Sequence, residues 1–158
     1  MLSGWLLWAS LAFGGVLLAL SVTDFHRQLL MDYLTLPLIP AGLAVAYAVD
    51  PATLIDHAIG ALAGFACLVA LSWAYRQFRG REGLGLGDSK LLAGAGAWVA
   101  WPGLPSVILI AASSALTVVL LRSLAGHRVG LEERIPFGPY LCLGAWIVWL
   151  HGPLIIPL

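Results

Sequence analysis

An all-α, polytopic membrane fold follows from three observations on this chain of 158 residues. Hydrophobic residues make up 61% of it and charged residues only 10%, where a soluble domain carries roughly 25% charged residues. Its mean hydropathy of +0.95 fits a chain whose main solvent is the lipid bilayer. A water-soluble fold of this composition would expose large apolar patches. The apolar residues also fall into runs close to the roughly 20 residues that one helix needs to cross the hydrocarbon core.

Six runs are expected to span. Residues 4–23 carry no charge and form the first. MLSGW has no basic stretch, and the apolar run exceeds the about 7–15 residues of a secretory signal core, so a span is expected there and not a cleaved signal. Residues 34–49 form a short second span, interrupted near its start by Pro37 and Pro40, since proline removes a helix donor and crowds the preceding turn. Residues 54–75 form the third, with Asp56 and His57 at its entrance. The fourth, residues 89–101, contains LLAGAGAW, and small residues of this kind favour close helix packing over lipid contact. Residues 104–121 and 137–151 complete the set. Tryptophans 5, 8, 73, 98, 101, 146 and 149 fall mostly near span ends, as an interfacial aromatic belt would place them. With no internal repeat, low-complexity tract or long polar segment, residues 1–158 read as a single membrane-embedded domain.

The positive charges orient these spans. All eight Lys and Arg residues fall in three stretches: Arg27; Arg76, Arg79, Arg81 and Lys90; Arg122, Arg128 and Arg134. With six spans these are alternate loops on one membrane face, and the other face has none. The positive-inside rule makes the basic loops cytoplasmic and puts both termini on the non-cytoplasmic side. A net charge of zero with no basic stripe excludes a nucleic-acid partner, leaving the lipid bilayer as the surrounding medium. Cys67 and Cys142 are isolated in apolar runs and form no CxxC pair, so zinc and a disulfide framework are both unsupported. Each reads as a small packing residue.

Chemistry concentrates at residues 83–90, GLGLGDSK. A phosphate-binding P-loop needs lysine directly after its last glycine; here Asp88 follows Gly87 and would repel a phosphate. The plain alternative makes Asp88 the cap of a helix that begins at Ser89. Capping does not account for the glycines, which let another chain approach closely. Topology supplies a partner. The first span ends in SVTDFHRQLLMDYLTLP, which places Asp24 at its cytoplasmic end, on the same face as Asp88. Acids at a membrane boundary are costly and functional by default. Two carboxylates brought together there hold one proton between them and polarise a water, as in aspartic proteases. Which of them carries the proton is not fixed by sequence, since a coupled pair titrates as a unit.

Other polar residues carry less. Asp32 shares the loop of Asp24 and is read as facing solvent or capping the second span. Asp50 and Asp56 fall on the opposite face. Glu82, Glu132 and Glu133 are interspersed with arginines, as solvated loop pairs are. No His, Asp or Glu spacing makes a metal site. Ser113 and Ser114 lie mid-span, where hydroxyls bond back to their own helix, and no exposed serine stands out beside Lys90 for a Ser/Lys mechanism. A non-enzymatic alternative uses the aspartate pair as the proton site of a carrier or assembly factor. Carriers place such acids near the midplane and show repeat symmetry, and this sequence has neither.

The stretch RGREGLGLGDSKLLAGAGAW, residues 79–98, resembles the signature of type IV prepilin peptidases, the bacterial GxGD aspartyl proteases. TDFHRQLLMDYLTLPLIPAGL resembles the first-aspartate segment of that family, and IPFGPYLCLGAW at 135–146 resembles its last helix. The resemblance implies a multi-pass endopeptidase of the bacterial inner membrane. Such an enzyme removes the leader of type IV prepilins or of type II secretion pseudopilins at the cytoplasmic face, typically after a glycine. Carried over, Asp24 and Asp88 are the catalytic aspartates, Gly85 and Gly87 complete the GxGD loop, and no cofactor or metal takes part. Two departures stand out. Met31 replaces the proline that often precedes the Asp or Asn of the first segment, which loosens that loop and leaves Asp24 untouched. The N-terminal CxxC domain linked to methylation in bifunctional members has no counterpart in these residues, so a peptidase-only short form without S-adenosylmethionine or zinc is expected. Other GxGD branches, such as the preflagellin type, are the nearest enzymatic alternative. A presenilin-like enzyme usually has tyrosine before its first aspartate, where this chain has Thr23.

Overall fold

The computed structural model describes residues 4–27, 32–79, 85–126 and 136–154. Met31, Arg81, Glu82, Gly83, His127, Arg128, Glu132, Glu133 and Arg134 lie outside the described residues, and so do the readings made on them. The described chain is all-helical: α1 (Gly4–Arg27), α2 (Asp32–Val49), α3 (Leu54–Arg79), α4 (Leu86–Leu124) and α5 (Gly138–His151). A single 3-10 turn, Pro51–Thr53, leads into α3, and Asp50 Oδ1 caps it by accepting from Ala52 N–H at 3.0 Å. The helices α1, α2, α3 with this turn, and α4 are each long and apolar enough to cross a membrane. Leucines such as Leu18, Leu62 and Leu116 lie exposed along them, as lipid-facing residues do. The chain is a membrane protein.

With 39 residues, α4 is about twice the length that one crossing needs, and it breaks once. Ala100 has φ 58° and ψ 175°, a left-handed conformation that costs a residue with a Cβ on the order of 1–3 kcal/mol. Pro102 follows in the first turn of the second limb, where its missing N–H is no loss. Residues 86–99 and 101–124 therefore act as two rods, in the places expected for the fourth and fifth spans.

Side-chain contacts give the direction of each rod. Asp24 meets Gly138, Gly14 meets Trp146, and Ser10 meets Trp149, so α1 and α5 are antiparallel. Asp32 meets Lys90 and Leu38 meets Trp98, so α2 runs parallel to the first limb of α4. Asp56 meets Trp101, His57 meets Ala97, and Gly64 lies against Leu92, so α3 runs against that limb. Gly103 meets Val148 and Gly144 meets Val107, so the second limb runs against α5. The chain therefore reverses at Ala100, and successive rods alternate in direction. Arg27, Arg76, Arg79, Lys90 and Arg122 all fall at the end that holds Asp24 and Asp88, while Gly4, Asp50, Ala100 and His151 mark the far end.

Packing bears out the expectation for LLAGAGAW: residues 91–100 are buried throughout. Gly60 and Gly64 of α3 are in backbone contact with this limb, and an added Cβ at Gly60 would collide with the Gly96 carbonyl. Two expectations need correction. Pro37 and Pro40 do not interrupt the second span; both sit inside a continuous α2. Trp98 is no interfacial residue, because its ring stacks on Phe13 with centroids 4.2 Å apart and its Nε1–H donates to Leu38 O at 3.0 Å. Trp149 closes the same cluster edge-on.

Candidate active site

Asp24 occupies the last turn of α1 and is buried, at 5% exposure. Its Oδ2 accepts a hydrogen bond from Gly138 N–H at 3.1 Å. Gly138 is the first residue of α5, and Phe137 before it supplies no side-chain cap. One of the orphan donors that every helix N-terminus presents is thus met here by a carboxylate from a different helix. That carboxylate also lies at the positive end of the α5 dipole.

Asp88 is buried as well, at 9% exposure, and sits in the first turn of α4. The expectation that it caps a helix starting at Ser89 is corrected: the helix starts at Leu86 and its cap is Gly85, with no side-chain bond. Asp88 N–H bonds back to Gly85 O at 3.1 Å. Each carboxylate therefore lies at the N-terminus of a helix, Asp88 of its own and Asp24 of a neighbour. The charge of Asp24 acts on Asp88, and the buried Cys142 thiol, hydrogen-bonded to Ser21, lies within electrostatic reach of both. Among the described residues no group of three or more His, Cys, Asp or Glu is placed to hold a metal ion.

No Cα of α1 comes within 8 Å of one in α4. The two helices meet through side chains, as at Phe13 and Trp98, so the pair of acids is assembled by neighbours and leaves space between the backbones. Gly85 precedes the helix that carries Asp88. Its φ of −73° and ψ of 147° suit any residue, and an added Cβ would meet nothing closer than Gly87 N at 3.9 Å. Glycine there is not required by the backbone; among the described residues it leaves an open flank ahead of Asp88. An apolar groove of about 150 Å³ opens next to Asp24, lined by Phe25, Val118, Val119, Arg122, Pro136, Pro139 and Tyr140.

Sequence reasoning singled out Asp24, Asp88, Gly85 and Gly87, and the structure puts all four at one end of the bundle. It did not single out Gly138, although IPFGPYLCLGAW contains it; a glycine opening a helix across from an acid was the available signal. Asp32, read as solvent-facing or capping, is the first residue of α2 and pairs with Lys90 at 2.7 Å.

Residues 11–121 match the type IV leader peptidase family, a stretch that holds both aspartates and the break at Ala100. The chain belongs to that family. Among relatives of this leader peptidase family member, the prepilin leader peptidase/N-methyltransferase of Aeromonas hydrophila is 42% identical over 153 residues, covering 94% of this chain and 51% of the relative. The protein of the same name from Burkholderia pseudomallei is 46% identical over 143 residues, covering 89% of this chain and 46% of the relative. That from Pseudomonas aeruginosa is 42% identical over 138 residues, covering 86% and 47%. The chain thus spans about half the length of the curated relatives it matches. No solved structure matches it.

Proposed function

We propose that this chain is a membrane aspartyl endopeptidase that cleaves the leader of type IV prepilins or pseudopilins by activating a water between Asp24 and Asp88. The observation that carries the reading is that two buried carboxylates share one end of an apolar bundle, within electrostatic reach of each other, each at a helix N-terminus, in a member of the leader peptidase family. The ionised aspartate takes a proton from water as the oxygen attacks the scissile carbonyl carbon. The protonated partner donates to the carbonyl oxygen, giving a tetrahedral diol. Collapse breaks the C–N bond, the departing nitrogen receives a proton, and the pair returns to its starting state.

The open flank at Gly85, with Gly87 beside it, admits the extended scissile segment. The groove beside Phe25 and Tyr140 suits the apolar helix that follows the leader, which packs laterally while the polar leader stays in water. In this reading all six rods, in one domain covering residues 1–158, cross the bacterial inner membrane. The basic end carrying the aspartates faces the cytoplasm, and both termini lie outside. The proposed chemistry draws on protein carboxylates and water alone. Asp24→Asn and Asp88→Asn, each assayed in detergent with a prepilin substrate and no ion gradient, test it. Each is expected to lower the cleavage rate on the order of 10²- to 10⁴-fold; near-normal cleavage by either variant rules out the paired mechanism.

A further inference from the structure

The helix that carries Asp88 begins without a side-chain cap, and its first residue, Leu86, is exposed. Such an end frays over its first turn unless something outside the helix ties it down, and Asp88 lies in that turn. The backbone of α1 stays clear of α4, so the two helices bear on each other only through side chains. On one side the tie is the Gly138 N–H, which holds Asp24.

On the other side it is Lys90. Its Nζ donates to both carboxylate oxygens of Asp32, at 2.7 and 2.8 Å. The contact joins the start of the second turn of α4, two residues beyond Asp88, to the first residue of α2. Both bonds come from one ammonium nitrogen, so they anchor Nζ against that carboxylate. Residues two apart on a helix do not face each other, so Lys90 acts on Asp88 through the backbone they share. Asp32 follows Asp24 by one short connection, so the contact links the hairpin bearing one aspartate to the helix bearing the other.

We propose that the Asp32–Lys90 ion pair is a positioning strut that sets Asp88 against Asp24 for catalysis, an inference that rests on the peptidase function proposed above. With side-chain exposures of 58% for Asp32 and 29% for Lys90, the pair adds little to global stability. Its removal therefore leaves a folded protein with a misplaced carboxyl group, and small misplacements cost up to about a hundredfold in rate.

The test uses the full chain in detergent with a prepilin substrate, comparing Asp32→Asn, Lys90→Met, the double variant and Lys90→Arg. Each neutral single variant is expected to lose about tenfold or more in kcat with KM nearly unchanged. The double variant should lose no more than either single, because both remove one interaction, and Lys90→Arg should recover most of the rate. Hydrogen exchange of the amides of residues 86–92 supplies a readout free of activity, expected to quicken about tenfold in Lys90→Met and to stay at the wild-type rate in Lys90→Arg. Unchanged kcat in the single variants, additive losses in the double, or unchanged exchange overturns the strut. A wild-type chain that cleaves no prepilin overturns the proposed function instead, and the exchange result then decides whether Lys90 orders this turn.

Discussion

A methyl group placed on Gly138 would fall on Asp24 Oδ2, so the smallest possible side chain there displaces a carboxylate from another helix. Gly138→Ala is accordingly expected to lower prepilin cleavage on the order of a hundredfold while the protein still folds. The contrast is Gly85→Ala. Its backbone is extended and its flank open, so thermal unfolding should be unchanged and any loss should appear in KM, where an approaching substrate chain meets the new methyl. Initial rates over a range of substrate concentrations, with an unfolding curve for each variant, check both. Full kcat in Gly138→Ala would show that α5 does not set Asp24. Residues of this kind mark the limit of sequence reasoning. That Asp24 and Asp88 share one end of the bundle is legible because the Lys and Arg residues mark which end each span boundary occupies. Gly138 and the Asp32–Lys90 contact are not, because their partners lie 114 and 58 residues away and no local pattern announces either.

Between elements, the contact that orders the first limb of α4 is made by backbone against backbone. At Gly60 an added Cβ meets the Gly96 carbonyl and then the Ala100 carbonyl carbon at 2.8 Å, neither of which yields as a flexible side chain would. Gly60→Ala is expected to destabilise by about 1–3 kcal/mol. Gly15→Ala in α1, where an added Cβ meets nothing within 4 Å, should be neutral or stabilising by up to about 1 kcal/mol. Unfolding in a denaturing detergent, followed by tryptophan fluorescence, measures both, and a loss of stability in Gly60→Ala alone is the expected result. At this scale the sequence was read well where composition decides and poorly where context does. The small residues of LLAGAGAW announced close packing. Pro37 and Pro40 looked like a break because proline usually ends a helix, yet α2 runs through both. Trp98 looks interfacial because it falls near the end of the expected span 89–101, and only the stack on Phe13 shows it to be core.

Across the whole molecule, six alternating rods bring every described Lys and Arg to the end that holds the aspartates, and this arrangement turns the proposed orientation into a labelling experiment. Gln77 stands at the aspartate end of α3, and Asp50 stands at the far end between α2 and α3; both are exposed. Single cysteines at these positions, in a background with Cys67 and Cys142 replaced by serine, report which side each end faces. With the basic end in the cytoplasm, a membrane-impermeant maleimide added to intact spheroplasts should label Asp50→Cys and leave Gln77→Cys unmodified until lysis. The same pattern should hold for cysteines at Leu124 and Leu154, which end the fifth rod and follow the sixth. The Leu154 position is the sharper probe, because α5 has only 14 residues, about 21 Å at 1.5 Å per residue, against a core of about 30 Å. Labelling at Leu154 from outside requires α5 to cross where the bilayer thins or the flanking chain completes the passage. Labelling only after lysis would put that end on the cytoplasmic side and reduce the crossings to five.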